Sequence, residues 1–176
     1  MAVAAVTVVI LLIPLTASQF TTEVDWSVHD YIIAGMLLLA TGGSWVLFNR
    51  QTESVMYKLA AGMALFSTLF LIWVNLAVGV VGAESQSFNL LYFGVVLVII
   101  LGSLVSRLSA SGLSITLFTA AIIQALTIFV ALMMDMQSVP GSSILEIVTV
   151  NGLFVVLFTI SGFLFRQSEE LNASQP

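Results

Sequence analysis

The sequence predicts an all-α polytopic membrane protein, a six-helix transmembrane bundle with both termini in the cytoplasm. Hydrophobic residues make up 60% of the 176 residues and charged residues only 7%, whereas soluble domains carry about 25% charged residues. A chain so poor in charge cannot cover a surface that faces water, so we expect the lipid bilayer to surround it. Two further observations, the lengths of the apolar runs and the positions of the basic residues, predict the number and direction of the helices.

Six apolar runs follow one another along the chain, each of about the 20 residues that a helix needs to cross the hydrocarbon core. Short connections that are polar or form turns separate them, and Pro140-Gly141 is such a turn signal before the last run. The predicted spans are residues 2–20, 28–48, 55–81, 88–108, 112–134 and 143–165. Residues 1–166 are therefore predicted to form a single transmembrane domain, and residues 167–176 a polar, disordered cytoplasmic tail.

The four basic residues of the chain fall on one side of these spans. They are Arg50, Lys58, Arg107 and Arg166. Six spans place both termini on that same side, and Lys and Arg accumulate on the cytoplasmic side of membranes, so we predict an N-in/C-in orientation. The other side collects acidic residues only: Glu23, Asp25, Asp30, Glu84, Asp135 and Glu146.

The first apolar run has a second interpretation, a cleaved signal peptide with Thr16 and Ser18 as the small residues before the cut. No Lys or Arg precedes the run, however, and signal peptides usually begin with a basic region. We therefore favour a retained first span. Cleavage would leave five spans and would not change the orientation of the remaining loops.

Polar residues inside or at the edge of the spans are the candidates for a functional site, because polar groups in a bilayer usually face a partner, a cavity or a pathway. Most of them lie in the outer half of the predicted bundle. The candidate polar cavity comprises Asn75, Gln124, Glu146, Asn151, His29 and Asp30.

Gln124 lies on a continuous face of small or hydrogen-bonding residues of the fifth span. The face is formed with Thr116, Ala120, Thr127 and Ala131. Small residues let helices approach closely and a glutamine can bond across the gap, so we favour helix packing over one wall of a cavity.

Asn75 and Glu146 also have two interpretations each. Asn75 precedes Gly79 and Gly82, which leave room either for a ligand or for a bond to a neighbouring backbone, and we favour packing. Ser143 and Glu146 are spaced as a capping box, as are Ser27 and Asp30 at the second span. We favour this capping role for Glu146 over proton exchange by a desolvated carboxyl group.

Metal, cofactor and nucleic-acid binding find little support. His29 is the single histidine, which excludes a site with several histidines and haem with two histidine ligands. Asp30, Asp135 and Glu146 would suit a calcium ion at the outer surface, although acids in loops are normally just solvated. We predict no metal and no cofactor. Nucleic acid is not expected as a partner, because the chain has no basic patch.

No motif for ATP hydrolysis, zinc proteolysis or serine hydrolysis is present, so we do not expect an enzyme. Two classes of function remain. The first, which we favour, is a structural or accessory component that packs with itself or with a larger membrane complex. The second is a small transporter or channel whose polar pathway opens to the periplasmic side past Asn75, Gln124 and Glu146.

Several segments resemble a group of small uncharacterised bacterial polytopic inner-membrane proteins. These segments are WVNLAVGVVGAE from Trp73, NLLYFG from Asn89, and upstream Asp25-Trp26 and DYIIAG from Asp30. The resemblance covers roughly a third of the chain and implies a location in the bacterial inner membrane. It carries no functional residue over to this sequence.

Overall fold

The structure, a computed structural model, describes residues 1–21 and 24–173. This part of the chain is all-helical, with 80% helix and no strand. The helices are α1 (Ala2–Ala17), α2 (Val28–Asn49), α3 (Val55–Ala77), α4 (Leu90–Val105), α5 (Ala110–Met133) and α6 (Ile144–Ala173), with short 3₁₀ turns at Ser87–Asn89 and Met136–Ser138. Five of them, α2 to α6, are long and apolar enough to span a membrane when α4 is counted from Ser87, and α1 is a shorter apolar helix. Glu23, placed on the acidic side by the sequence, lies outside the described residues.

The chain forms two compact units, Met1–Arg50 and Gln51–Pro176. The sequence predicted a single domain over residues 1–166. Apolar composition is nearly uniform along the chain, so it indicates membrane helices without indicating which of them pack together.

The first unit is a hairpin of α1 and α2. Its second helix begins at the predicted capping box: the Ser27 amide donates to Asp30 Oδ2 at 2.7 Å, and the Asp30 amide donates to Ser27 Oγ at 3.4 Å. Gly42 allows the two helices to approach closely, because a Cβ atom there would lie 2.5 Å from a methyl group of Val3.

The second unit is built from α3, α4, α5 and α6. Helix α6 packs against α5 and α3, and α5 also packs against α4. The rings of Phe70 and Phe154 meet between α3 and α6 at 5.6 Å. Between α5 and α6, the Ser114 hydroxyl donates to the Gly162 carbonyl at 2.9 Å.

One end of the second unit is basic. The Tyr57 hydroxyl donates to the Leu108 carbonyl at 2.6 Å, and the Tyr57 ring lies 5.1 Å from the Phe165 ring. Each of these three residues has a basic neighbour in sequence, respectively Lys58, Arg107 and Arg166. We call this the basic end of the unit.

The opposite end is acidic and is formed by two loops that contact each other. Gln86 Nε2 lies 3.8 Å from the sulfur of Met136, and a Cβ atom at Gly82 would lie 3.2 Å from Val139. The acidic residues at this end are Glu84, Asp135 and Glu146. We call it the acidic end.

Helix α3 ends at Ala77, four residues before the end of the predicted span. Gly79 has a φ of +80° and its amide donates to the Val74 carbonyl at 3.0 Å. A glycine in the left-handed conformation just after the last helical turn is a common helix end. The residues that follow form a loop, although their composition is as apolar as that of the helix.

Helix α6 continues to Ala173, whereas a disordered tail was predicted from residue 167. Arg166 Nε and Glu170 Oε1 are 3.3 Å apart and lie one turn from each other on this helix. Gln, Glu and Leu are good helix formers, so polar composition here marks exposure to water and not the loss of the helix. Residues 174–176 of the predicted tail lie outside the described residues.

Candidate functional site

A group of buried polar side chains lies in the half of the second unit nearest its acidic end. The group draws on all four helices of that unit, and each side chain belongs to a residue that is at most 6% exposed. Its members, which we call the polar layer, are Asn75, Asn89, Tyr92, Gln124, Thr127 and Asn151.

Three of these residues join α5 to α6. Gln124 Nε2 donates to Asn151 Oδ1 at 2.9 Å, and the Thr127 hydroxyl lies 3.2 Å from the same oxygen and 2.7 Å from the Gln124 carbonyl. Asn151 Nδ2 donates to the Ile147 carbonyl at 2.8 Å. These bonds orient both carboxamides, so neither side chain is free to rotate in the core.

Asn75 and Asn89 form the other part of the polar layer. Asn75 Nδ2 donates to the Asn89 carbonyl at 3.1 Å. The Asn89 side chain accepts from the amides of Val80 and Val81 at 3.2 and 3.0 Å, and it donates to the carbonyls of Val81 and Ala83 at 3.2 and 2.8 Å. Asn89 therefore holds the loop between α3 and α4 in place at the acidic end.

Not every polar atom of the layer is satisfied. Asn75 Oδ1, the Tyr92 hydroxyl and Gln124 Oε1 are buried, and the described part of the chain offers none of them a hydrogen-bond partner. The Tyr92 hydroxyl lies beside the side chains of Asn151 and Thr127 but does not reach standard hydrogen-bond geometry with either. Buried polar groups normally have a partner, so these three atoms are exceptions that need an explanation.

The structure brings part of the predicted candidate cavity together. Gln124 and Asn151 are bonded to each other, and Asn75 is buried in the same polar layer. Glu146 instead is exposed at the start of α6, where its amide donates to Ser143 Oγ at 3.1 Å, which is the serine half of the predicted capping box.

His29 and Asp30 belong to the other compact unit and are exposed there. Asp30 is part of the capping box at the start of α2. Asp135, the third acid of the calcium alternative together with Asp30 and Glu146, accepts a bond from Gln137 Nε2 at 2.6 Å. Within residues 1–21 and 24–173, no three His, Cys, Asp or Glu residues are grouped so that they would hold a metal ion.

The sequence analysis did not include Asn89, Tyr92 and Thr127 among the candidate cavity residues. A spacing signal for two of them existed, because Asn89 and Tyr92 are three residues apart and so share one face of the chain as it enters α4. Thr127 lies three residues after Gln124 on the face that we had assigned to packing. Tyrosine is also common at the membrane interface, and threonine is common in contacts between membrane helices, so these two residues did not stand out as members of a polar site.

Among the described residues, the basic end carries two ion pairs, 2.8 Å between Lys58 Nζ and Glu53 Oε2 and 3.3 Å between Arg166 Nε and Glu170 Oε1. The hydrogen bond from Lys58, together with its positive charge, holds the pKa of the exposed Glu53 carboxyl below its usual value. Because the Glu53 side chain is exposed, we expect the Lys58–Glu53 pair to contribute little to the stability of the protein.

The fold and the site together define a helical protein whose long apolar helices suit a membrane and enclose a polar layer. Comparison of the chain with family models, with curated proteins and with solved structures found no match.

Proposed function

We propose that the chain is a non-enzymatic component of the bacterial inner membrane that packs with another copy of itself or with a larger membrane complex. The observation that carries the proposal is the apolar surface of the hairpin unit. Most large apolar side chains of α2 are exposed, among them Ile32, Met36 and Leu39. Such a surface must be covered by lipid or by a second protein, and in our proposal a second protein covers part of it.

The internal bonding of the second unit is consistent with a structural role. Gln124, Thr127 and Asn151 bond to one another between α5 and α6. Polar side chains that bond across helices hold membrane helices together. These bonds therefore favour one fixed arrangement of α5 and α6 within the second unit.

In the topology that we propose, all six helices cross the membrane and both termini are cytoplasmic. The basic end of the second unit supports the orientation, because basic residues accumulate on the cytoplasmic side. Helix α1 has 16 residues and would rise about 24 Å, less than the roughly 30 Å of the hydrocarbon core. The turn that follows α1 supplies further residues for the crossing.

Photo-crosslinking in native membranes tests the partner. A photoreactive amino acid at Leu39, halfway along α2, is compared with one at Ile122, halfway along α5; these residues are 46% and 62% exposed. We expect protein adducts at position 39 in clear excess over those at position 122, because both would contact lipid but only the first would contact a partner. Equal yields at the two positions would contradict the proposal.

The alternative, a small transporter or channel opening to the periplasmic side, is favoured by one observation, the unpaired atoms of the polar layer. The pathway that we expected from sequence also used Glu146, which is exposed. Osmotic shrinkage of proteoliposomes with small neutral solutes separates the two functions. Transport requires a permeability above that of empty liposomes that Gln124→Leu reduces and Ile122→Leu does not, whereas the packing function predicts no excess permeability.

A further inference from the structure

Two of the unpaired atoms of the polar layer belong to side chains that lie against Asn151. Gln124 is bonded to Asn151 through its Nε2 atom, and this bond fixes the direction of its free Oε1 atom. The Tyr92 hydroxyl lies beside Asn151 and Thr127 from a third helix. Tyr92 is 1% exposed and Gln124 is 0% exposed, so bulk water does not reach either of them.

The neighbouring side chains do not satisfy these atoms. Asn151 Oδ1 already lies within hydrogen-bond distance of Gln124 Nε2 and of the Thr127 hydroxyl. The Tyr92 hydroxyl does not reach hydrogen-bond geometry with Asn151 or Thr127, so neither side chain accepts a hydrogen bond from it directly. An unpaired donor and an unpaired acceptor therefore lie on two buried side chains that both contact Asn151, and leaving both unpaired is costly.

We propose that the polar layer binds an ordered water molecule between the Tyr92 hydroxyl and Gln124 Oε1. The water accepts a hydrogen bond from the Tyr92 hydroxyl and donates a hydrogen bond to Gln124 Oε1. The Thr127 hydroxyl oxygen and the second N–H of Asn151 supply the further polar contacts that a buried water normally makes. The inference does not depend on the proposed packing function, because it concerns only the interior of the second unit.

Water contact is measured directly by solid-state NMR of the full chain in lipid bilayers, as magnetisation transfer from water to side-chain amide nitrogens. Asn89 provides the matched control, because it is buried and all its amide atoms are bonded within the chain. We expect transfer to the Gln124 amide to be several-fold faster than transfer to the Asn89 amide. Equal rates for the two amides would overturn the proposal.

Tyr92→Phe tests the partner of the water. Removing a hydroxyl that holds a bound water should lower the Tm and reduce the water transfer at Gln124 towards the Asn89 rate. Removing a hydroxyl that has no partner should instead raise the Tm or leave it unchanged, and either result would overturn the proposal. Tyr57→Phe is the control, since its hydroxyl bonds directly to the Leu108 carbonyl and its loss must lower the Tm.

Discussion

Asn89 shows how much of this structure depends on a single side chain. Its carboxamide makes four hydrogen bonds to the backbone of the loop between α3 and α4, and its own carbonyl accepts a bond from Asn75. The loop follows the left-handed Gly79, so it has no helical hydrogen bonds of its own to replace these. One polar residue thus connects a loop, the start of α4 and the end of α3.

We predict that Asn89→Ala lowers the free energy of unfolding by about 2–4 kcal/mol, because the amides of two buried valines lose their acceptor and two carbonyls lose their donor. Thermal unfolding in detergent measures the change. Leu90→Ala is the control, since Leu90 is the next residue and is 68% exposed. A loss for Asn89→Ala no larger than the loss for the control would contradict the role of Asn89 in the loop.

At the scale of the helix, close contacts depend on where a glycine lies and not on how many are present. A Cβ atom at Gly102 would lie 2.4 Å from the side chain of Thr116, so α4 and α5 approach each other there. The Thr116 hydroxyl is bonded to the Gly112 carbonyl at 2.8 Å and is not free to turn away. Gly94, on the same helix, has no atom within 4 Å of the corresponding position.

The pair Gly102→Ala and Gly94→Ala tests this contact. We expect Gly102→Ala to destabilise the protein by about 1–3 kcal/mol, the usual cost of overpacking. Gly94→Ala should be neutral or slightly stabilising, because alanine favours the helix over glycine and meets no neighbour. Similar effects of the two substitutions on the Tm in detergent would show that α4 and α5 do not pack as the structure has them.

At the scale of the whole molecule, the basic residues distinguish the two ends of the second unit, because they lie at one end whereas acidic residues lie at both. Lys58, Arg107 and Arg166 share one end, and Glu84, Asp135 and Glu146 share the other. The structure thus shows which charged residues lie at which end of the second unit. The side of the membrane on which each end lies is the proposal drawn from the positive-inside rule.

Labelling of single cysteines tests this topology cleanly, because the chain contains no cysteine of its own. With a maleimide that cannot cross the inner membrane, we expect Ser85→Cys to react in intact cells and Gln51→Cys to react only after the membrane is opened. Ala2→Cys should behave like Gln51→Cys if α1 crosses the membrane. A reaction of Gln51→Cys in intact cells would invert the orientation, and a reaction of Ala2→Cys would leave five crossings.

The sequence alone was enough for the presence and order of the helices and for some of their ends, but not for the ends of α3 and α6. The capping box of Ser27 and Asp30 joins residues three positions apart, and all six helices lie on the predicted apolar runs, because both features depend on neighbouring residues. Polar composition misled us only at α6, where the helix continues through residues predicted as a disordered tail.

The tertiary structure decided which polar residues meet. Gln124 and Asn151 are 27 residues apart, and Tyr57 and Leu108 are 51 apart. The sequence analysis grouped Gln124 with Asn151 but could not assign a bond between them, because such pairing depends on which helix faces lie together. For the same reason, Tyr92 belongs to the polar layer, although the sequence analysis had not included it among the candidate cavity residues.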